Sequence, residues 1–474
     1  MIRLFRAPLA LMILVLAGCA TAPASSSQGA DADIRVEVAR AGDRFTADYV
    51  LDRDAPVWAF VRSSLIMEVR EPWRPRQWMV ETPGVLLERR GNYDVLRAVD
   101  GGPVPRSVRL TLRPEAVDLE ADYATLMFSD GAVAMPTHIF DVFPVSSLEA
   151  VEALPRDLNG VSLATGPAEV RWTDPLGQIL FRGERWDGIT TNDADTYVLF
   201  GDARVTRGER LTTVLDPTLP SWVPQQIGEF APWVADFYEA RLGEGAFGQP
   251  TVMVSWNGPT ERMTSMSGSV MPGLIVMSYE GQGIVTPDQE MIDRSRWFIA
   301  HESAHFWLGQ TVRYAGPPQA WITEGGADLM AIRALAAADP TWDARAELQR
   351  EVDDCVSLTD GRGVQGAGSR GEHRAYYACG AVLWLVAEAA QGRRDGGDGF
   401  DFLRPLIAAN REDEVLSRQD WLAALMAVSG DVILLGDVER LLDDGSDDPA
   451  EMVAGLLARV GIAHRIEGER VVLG

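Results

Sequence analysis

The chain has 474 residues, 46% of them hydrophobic and 24% charged, which is ordinary for a globular protein with room for two or three domains. Its net charge is −26, and the 43 basic residues are all arginine. So acidic a surface speaks against binding nucleic acid, or docking on anionic lipid by charge alone.

The chain begins with Arg3 and Arg6, followed by an apolar run over residues 9–16 that is too short to span a bilayer. This is the pattern of a targeting segment, residues 1–18. It ends Leu16-Ala17-Gly18-Cys19, which resembles the lipobox of bacterial lipoproteins. The resemblance implies a lipidated Cys19, a membrane anchor through that lipid, and a place in the bacterial envelope facing the periplasm. Residues 19–33 are small and polar and read as a flexible tether. Two further cysteines, Cys355 and Cys379, form an even pair in an oxidising compartment, so a disulfide between them is expected.

Residues 34–205 carry short alternating runs such as Ile34-Arg35-Val36-Glu37-Val38 and Ser107-Val108-Arg109-Leu110-Thr111-Leu112, punctuated by Gly and Pro. They predict a β-sandwich-like domain, with Trp58, Trp73 and Trp78 in its packing. His138 has no evident partner and is read as structural. From residue 206 the character changes. Residues 220–242 have helical spacing, and two strand-like runs follow, at Thr251-Val252-Met253-Val254 and Leu274-Ile275-Val276-Met277.

The chemistry concentrates in His301-Glu302-Ser303-Ala304-His305 and in Trp321-Ile322-Thr323-Glu324-Gly325-Gly326-Ala327-Asp328. Two of the chain's five histidines stand one helical turn apart on one face, where two imidazoles can hold one Zn²⁺. Glu302 is one step round, where a base acting on water beside a metal must sit. Glu324 can supply the third ligand of a catalytic zinc. Asp328, one turn later, can accept the free ring N–H of a liganding histidine and hold its tautomer. For the helix carrying the histidines, Thr286-Pro287-Asp288-Gln289 reads as an N-cap, Pro at N1 and a capping-box Gln, with Gly309 as its stop. Thr323 is the expected cap of the second helix.

The spacing His301-Glu302-x-x-His305-x-Trp307-x-Gly309, then Trp321-x-x-Glu324-Gly325 with Glu324 nineteen residues after His305, resembles the aminopeptidase N and leukotriene hydrolase family of gluzincins. The resemblance implies one Zn²⁺ per chain on His301, His305 and Glu324, with Glu302 as general base and a peptide or protein as substrate. It implies an α+β multidomain fold: a β-rich domain over residues 34–205, a thermolysin-like zinc catalytic domain over residues 206–395 and a short C-terminal helical region over residues 396–474. Tyr377, in Tyr376-Tyr377-Ala378-Cys379-Gly380, matches the tyrosine of the family's Y-x-K-G helix, which hydrogen-bonds the tetrahedral intermediate; Cys379 replaces the lysine. The family's G-x-M-E-N stretch, whose glutamate holds the substrate's ammonium, corresponds to Gly268-Ser269-Val270-Met271. Val270 stands in place of that glutamate, and Glu261 or Glu280 could substitute from nearby. An aminopeptidase, an endopeptidase on the same scaffold and a non-catalytic metal-stabilised envelope lipoprotein therefore all remain open. A glycine-rich stretch over residues 361–371 reads as a mobile loop at the cleft, and the acidic residues 443–448 as a solvated linker.

Overall fold

The computed structural model describes residues 15–16 and 33–474, apart from residues 121, 157, 159, 160, 193, 194, 247, 262 and 263. Cys19 and nearly all of the tether lie outside the described residues. No helix among the described residues is long and apolar enough to cross a membrane.

Alternation of apolar and polar residues builds the N-terminal part. In Ile34–Ala41 the side chains of Ile34, Val36 and Val38 are buried and those of Arg35 and Glu37 exposed, so one face of the strand meets a core. This strand pairs antiparallel with Arg44–Leu51, and Ser107–Leu112 extends the same six-stranded sheet. A four-stranded sheet around Val57–Phe60 and a five-stranded sheet around Tyr197–Phe200 pack beneath it. Trp58, Trp73 and Trp78 are all buried in that shared core, as expected. Arg74 is buried with them. It reaches Asp94 at 2.9 Å and lies over the Phe60 ring, which keeps a buried charge paired. His138 does have partners: Asp122 and Asp195 lie 3.3 and 3.2 Å from its ring. Burial works against charging this imidazole, but the two carboxylates outweigh it and lift the pKa to about 9.

The other face of the five-stranded sheet packs on a second six-stranded sheet, through Leu199 and Tyr197 against Met253, Met271 and Val276. In this second sheet Thr212–Leu215, Thr251–Trp256 and Leu274–Glu280 run parallel, and Ser265–Met271 pairs antiparallel with the last of them. Val15–Leu16 adds in parallel at Ser267 and Gly268. Ser265–Met271 is not evident from its serine-rich composition. It is a strand because Pro272-Gly273, with Gly273 at φ 70°, turns the chain back along Leu274–Glu280. Gly268 is required here: a Cβ would stand 2.5 Å from the Phe298 ring and 2.7 Å from Val276 O. The helix bearing the histidines therefore lies directly on the strand.

Helix Gln289–Ala304 packs on this sheet at Ser265–Met271; Trp222–Leu242 and Trp321–Ala338 pack against that helix, and Arg374–Asp395 packs against Trp321–Ala338 and Ala344–Leu358. One apolar cluster runs on through Gly399–Asn410, Arg418–Ser429, Val432–Asp443 and Pro449–Arg459 to Leu473, so the last helices share the core of the preceding ones. The glycine-rich stretch is packed. Val364 and Ala367 are buried, and a Cβ on Gly363 would meet Asp443 O at 2.2 Å. Asp443 of the acidic stretch is ion-paired with Arg418 at 2.6 Å. A disulfide joins Cys355 to Cys379 across 24 residues and ties Ala344–Leu358 to Arg374–Asp395. Replacing both cysteines by alanine is expected to cost about 3 kcal/mol through the freed loop, read as a lower unfolding midpoint in urea.

Candidate active site

Helix Gln289–Ala304 is capped by Asp288, whose carboxylate accepts from Met291 N at 2.8 Å. The cap lies two residues later than the expected Thr286, since a carboxylate answers both the free N–H groups and the helix dipole. The helix also ends earlier than Gly309. His305 is its C-cap, and the chain turns back through Leu308 to Gly309, at φ 139°. That turn gives His305 an orienting partner: Nδ1–H donates to Leu308 O at 2.8 Å. On the neighbouring helix, Trp321–Ala338, the cap is Ala320. Thr323 lies inside the first turn, its hydroxyl bonded back to Ala320 O at 3.2 Å.

His301 Nδ1 lies 2.7 Å from Asp328 Oδ1, and among the described residues neither of these buried atoms has a hydrogen bond elsewhere. A carboxylate and a carbonyl only accept, so each ring carries its proton on Nδ1 and turns Nε2 inward. The two Nε2 atoms are 3.1 Å apart. Glu324 Oε2 stands 3.4 Å from His305 Nε2 and 3.7 Å from His301 Nε2. Three buried acceptors in such a ring repel unless a positive charge stands among them. The surroundings favour positive charge at this point. Burial opposes charging His301, yet Asp328 and Glu324 lift its pKa to about 10. Burial likewise opposes ionising Glu324, yet the imidazoles of His305 and His301 hold its carboxyl at about 2. Zinc bound tetrahedrally at about 2.0–2.1 Å separates its donor atoms by roughly 3.3 Å, which the three spacings bracket. The residues fit the ion.

Glu302 follows on the same helix, 3% exposed and outside the ligand set. Burial pushes its carboxyl above the usual carboxylate range, while His301 and His305 pull it down. A buried carboxylate of raised basicity is suited to accept a proton. The ring of Tyr377 stacks on His301, with centroids 5.8 Å apart. Tyr376 faces elsewhere: its hydroxyl donates to Gln365 O at 3.2 Å and accepts from Gly368 N at 3.0 Å. Of the two tyrosines only Tyr377 belongs to the site.

Two features hold these helices together. Gly325 and Gly380 meet backbone to backbone, bringing the helix of Glu324 against that of Tyr377. Arg374, three residues before Tyr377, reaches Asp328 at 3.4 Å, Glu351 at 2.7 Å and Asp354 at 2.9 Å. One guanidinium thus supports the carboxylate behind His301 and the helix bearing Tyr377. Its position three residues before a tyrosine carries no sequence signal of this role.

A cavity of about 310 Å³ opens beside His305 and Glu324, lined also by Val270, Met271, Arg313 and Glu414. Gly268 instead contacts Phe298, and the Ser269 hydroxyl bonds the carbonyl of Gly268 at 2.7 Å. Neither Glu261 nor Glu280 lines this cavity.

No family model and no curated protein sequence matches the chain. Among solved structures it is similar to an aminopeptidase N family protein from Idiomarina loihiensis, with a TM-score of 0.57 and 12% identity over 89% of this chain and 78% of that one. Leukotriene A4 hydrolase from Saccharomyces cerevisiae gives a TM-score of 0.49 at 14% identity, over 87% of this chain and 68% of that one. A mutant M1 zinc metallopeptidase from Deinococcus radiodurans, bound to a Tyr-Ser-Ala substrate, gives 0.45 at 15% identity, over 90% and 92%. The first likeness establishes that the α+β multidomain fold expected from the motifs is the fold this chain has.

Proposed function

We propose that the protein is a zinc-dependent metallopeptidase that hydrolyses peptide bonds in the bacterial envelope, anchored by a lipid on Cys19. The observation that carries the reading is the convergence of His301 Nε2, His305 Nε2 and Glu324 Oε2, with each imidazole held from behind at Nδ1. Zinc supplies Lewis acidity at such a site, both acidifying water and drawing charge onto a carbonyl oxygen. His301, His305 and Glu324 hold the ion, and Asp328 holds His301. Glu302 accepts a proton from water as its oxygen attacks the peptide carbonyl carbon, then returns that proton to the departing amine nitrogen as the C–N bond breaks. Tyr377 donates a hydrogen bond to the carbonyl oxygen as it gains charge.

Whether the enzyme needs a free amino terminus turns on Val270. It lines the cavity beside the ligands, and a valine cannot pair with an ammonium. This favours an endopeptidase as the second reading against the aminopeptidase that the motif spacing favours. Purified full chain is expected to carry one zinc per molecule and to hydrolyse peptides; metal analysis and assays on matched free and N-blocked peptides test this. Cleavage of free-amine peptides alone makes it an aminopeptidase. Cleavage of blocked ones makes Val270 the deciding residue. A chain without bound metal overturns the catalytic reading and leaves an envelope binding protein.

A further inference from the structure

The helix that carries Tyr377 opens on a cation where a helix disfavours one. Arg374 is the first residue of Arg374–Asp395, and the first turn holds no acid. A positive charge there faces unpaired N–H groups and the positive end of the helix dipole. The compensation comes from outside the helix. Each nitrogen of the guanidinium donates to a different carboxylate: Nη1 to Asp328 Oδ2 at 3.4 Å, Nη2 to Glu351 Oε2 at 2.7 Å and Nε to Asp354 Oδ2 at 2.9 Å. Asp328 comes from helix Trp321–Ala338, and Glu351 and Asp354 come from Ala344–Leu358. Asp328 and Glu351 are buried. A local rule broken, then compensated by two other helices, marks a position that serves more than helix formation.

What it serves lies around His301. The two oxygens of Asp328 face in two directions: Oδ1 stands 2.7 Å from His301 Nδ1, and Oδ2 faces Arg374. The guanidinium therefore fixes the plane of the carboxylate that holds the edge of the imidazole. Tyr377 lies three residues on, on the same side of the helix as Arg374, and stacks on the face of the same imidazole. One helical turn thus governs both the edge of the His301 ring and one of its faces. Arg374 itself does not line the cavity beside Glu324.

We propose that Arg374 is a positioning residue of this site: through Asp328 it fixes the His301 ring, through the first turn of its helix it fixes Tyr377, and zinc affinity and turnover both depend on it. The inference rests on the zinc peptidase reading and adds to it a residue outside the ligand set. The Cys355–Cys379 bond and the contact between Gly325 and Gly380 lie just beyond Tyr377 and keep the helix docked. Loss of the guanidinium is therefore expected to loosen the site and leave the fold.

The experiment uses the full chain and reads the zinc dissociation constant by competition with a chelator of known affinity, with urea unfolding in parallel. R374Q is expected to weaken zinc binding about tenfold, the lower end of what the outer partners of a liganding histidine contribute. R374K keeps the charge but not the fork, and is expected to fall between R374Q and the parent. It carries the test should R374Q, which removes the partner of the buried Glu351, fail to fold. D328N separates positioning from packing. With Arg374 acting through Asp328, R374Q on the D328N background changes zinc affinity by no more than about twofold, although it still lowers the urea midpoint. At saturating zinc, R374Q is expected to lower kcat by up to about 10²-fold with KM little changed, and to add nothing to Y377F. Zinc affinity or kcat equal to the parent's in both arginine variants overturns the proposal. So does a further loss of about tenfold in zinc affinity from R374Q on top of D328N, since the arginine would then act by packing helices alone. A parent chain that binds zinc yet hydrolyses no peptide sinks the peptidase reading, while the zinc measurements still decide the role of Arg374. A parent chain that binds no zinc sinks both.

Discussion

Glu302→Gln is expected to leave zinc bound at one per chain and to lower kcat by about 10²–10⁴-fold, the usual contribution of a positioned general base. The substitution preserves size, shape and hydrogen-bonding capacity at a site only 3% exposed, so the helix and its two histidines have no reason to move. What it removes is the capacity to take a proton. A carboxylate whose basicity is raised by burial does this readily at neutral pH; an amide does not. Metal binding is expected to be untouched because the atoms that converge belong to His301, His305 and Glu324. Metal analysis and steady-state kinetics on the same preparation check both halves. Retained turnover would remove Glu302 from the mechanism. Loss of zinc together with turnover would show that Glu302 supports the ligand set, and the drop in rate would no longer report proton transfer.

The convergence of His301, His305 and Glu324 was legible in the sequence because its geometry is local. Two histidines four apart on a helix must face the same way, and a glutamate opening the next helix can be brought to them by a single turn of chain. Asp328 was legible for the same reason, lying one helical turn beyond Glu324. Helix ends were less so. Thr286, Thr323 and Gly309 are each a reasonable boundary residue by type, yet the boundaries are set by Asp288, Ala320 and His305, where the surrounding structure stops or starts the chain. Composition gave no sign of Ser265–Met271, a strand made by its partner and its turn, and it misled in the glycine-rich stretch, where the missing side chains let backbones touch. Arg313 and Glu414 could not be paired from spacing, being 101 residues apart and joined only by tertiary packing. The apparent absence of a partner for His138 has the same cause, since Asp195 is far from it in sequence.

Gly380→Ala is expected to destabilise the protein by about 3 kcal/mol and to weaken metal binding and turnover together. A Cβ built on Gly380 would lie 2.4 Å from Trp321 O and 2.8 Å from Gly325 Cα, and one built on Gly325 would lie 2.1 Å from the carbonyl carbon of Gly380. Every one of these neighbours is backbone, so no side chain can swing aside, and the two helices must separate. Those helices carry Glu324 and Tyr377, and the Trp384 indole, which donates to Ile322 O at 2.9 Å across the same contact, would be pulled from its partner. The disturbance therefore reaches Glu324, the proposed third zinc ligand, and the tyrosine stacked on His301 at once. Gly436 provides the comparison. It sits in helix Val432–Asp443 with no neighbouring atom within 4 Å of the point where a methyl would project, so Gly436→Ala is expected to stabilise by up to about 1 kcal/mol through helix propensity. Opposite signs for the same chemical change, read as unfolding midpoints, would show that backbone contact at Gly380 sets the helix spacing. A Gly380→Ala protein as stable as its parent, with zinc affinity intact, would mean that the spacing between Glu324 and Tyr377 is maintained by the surrounding tryptophans and the Cys355–Cys379 bond instead.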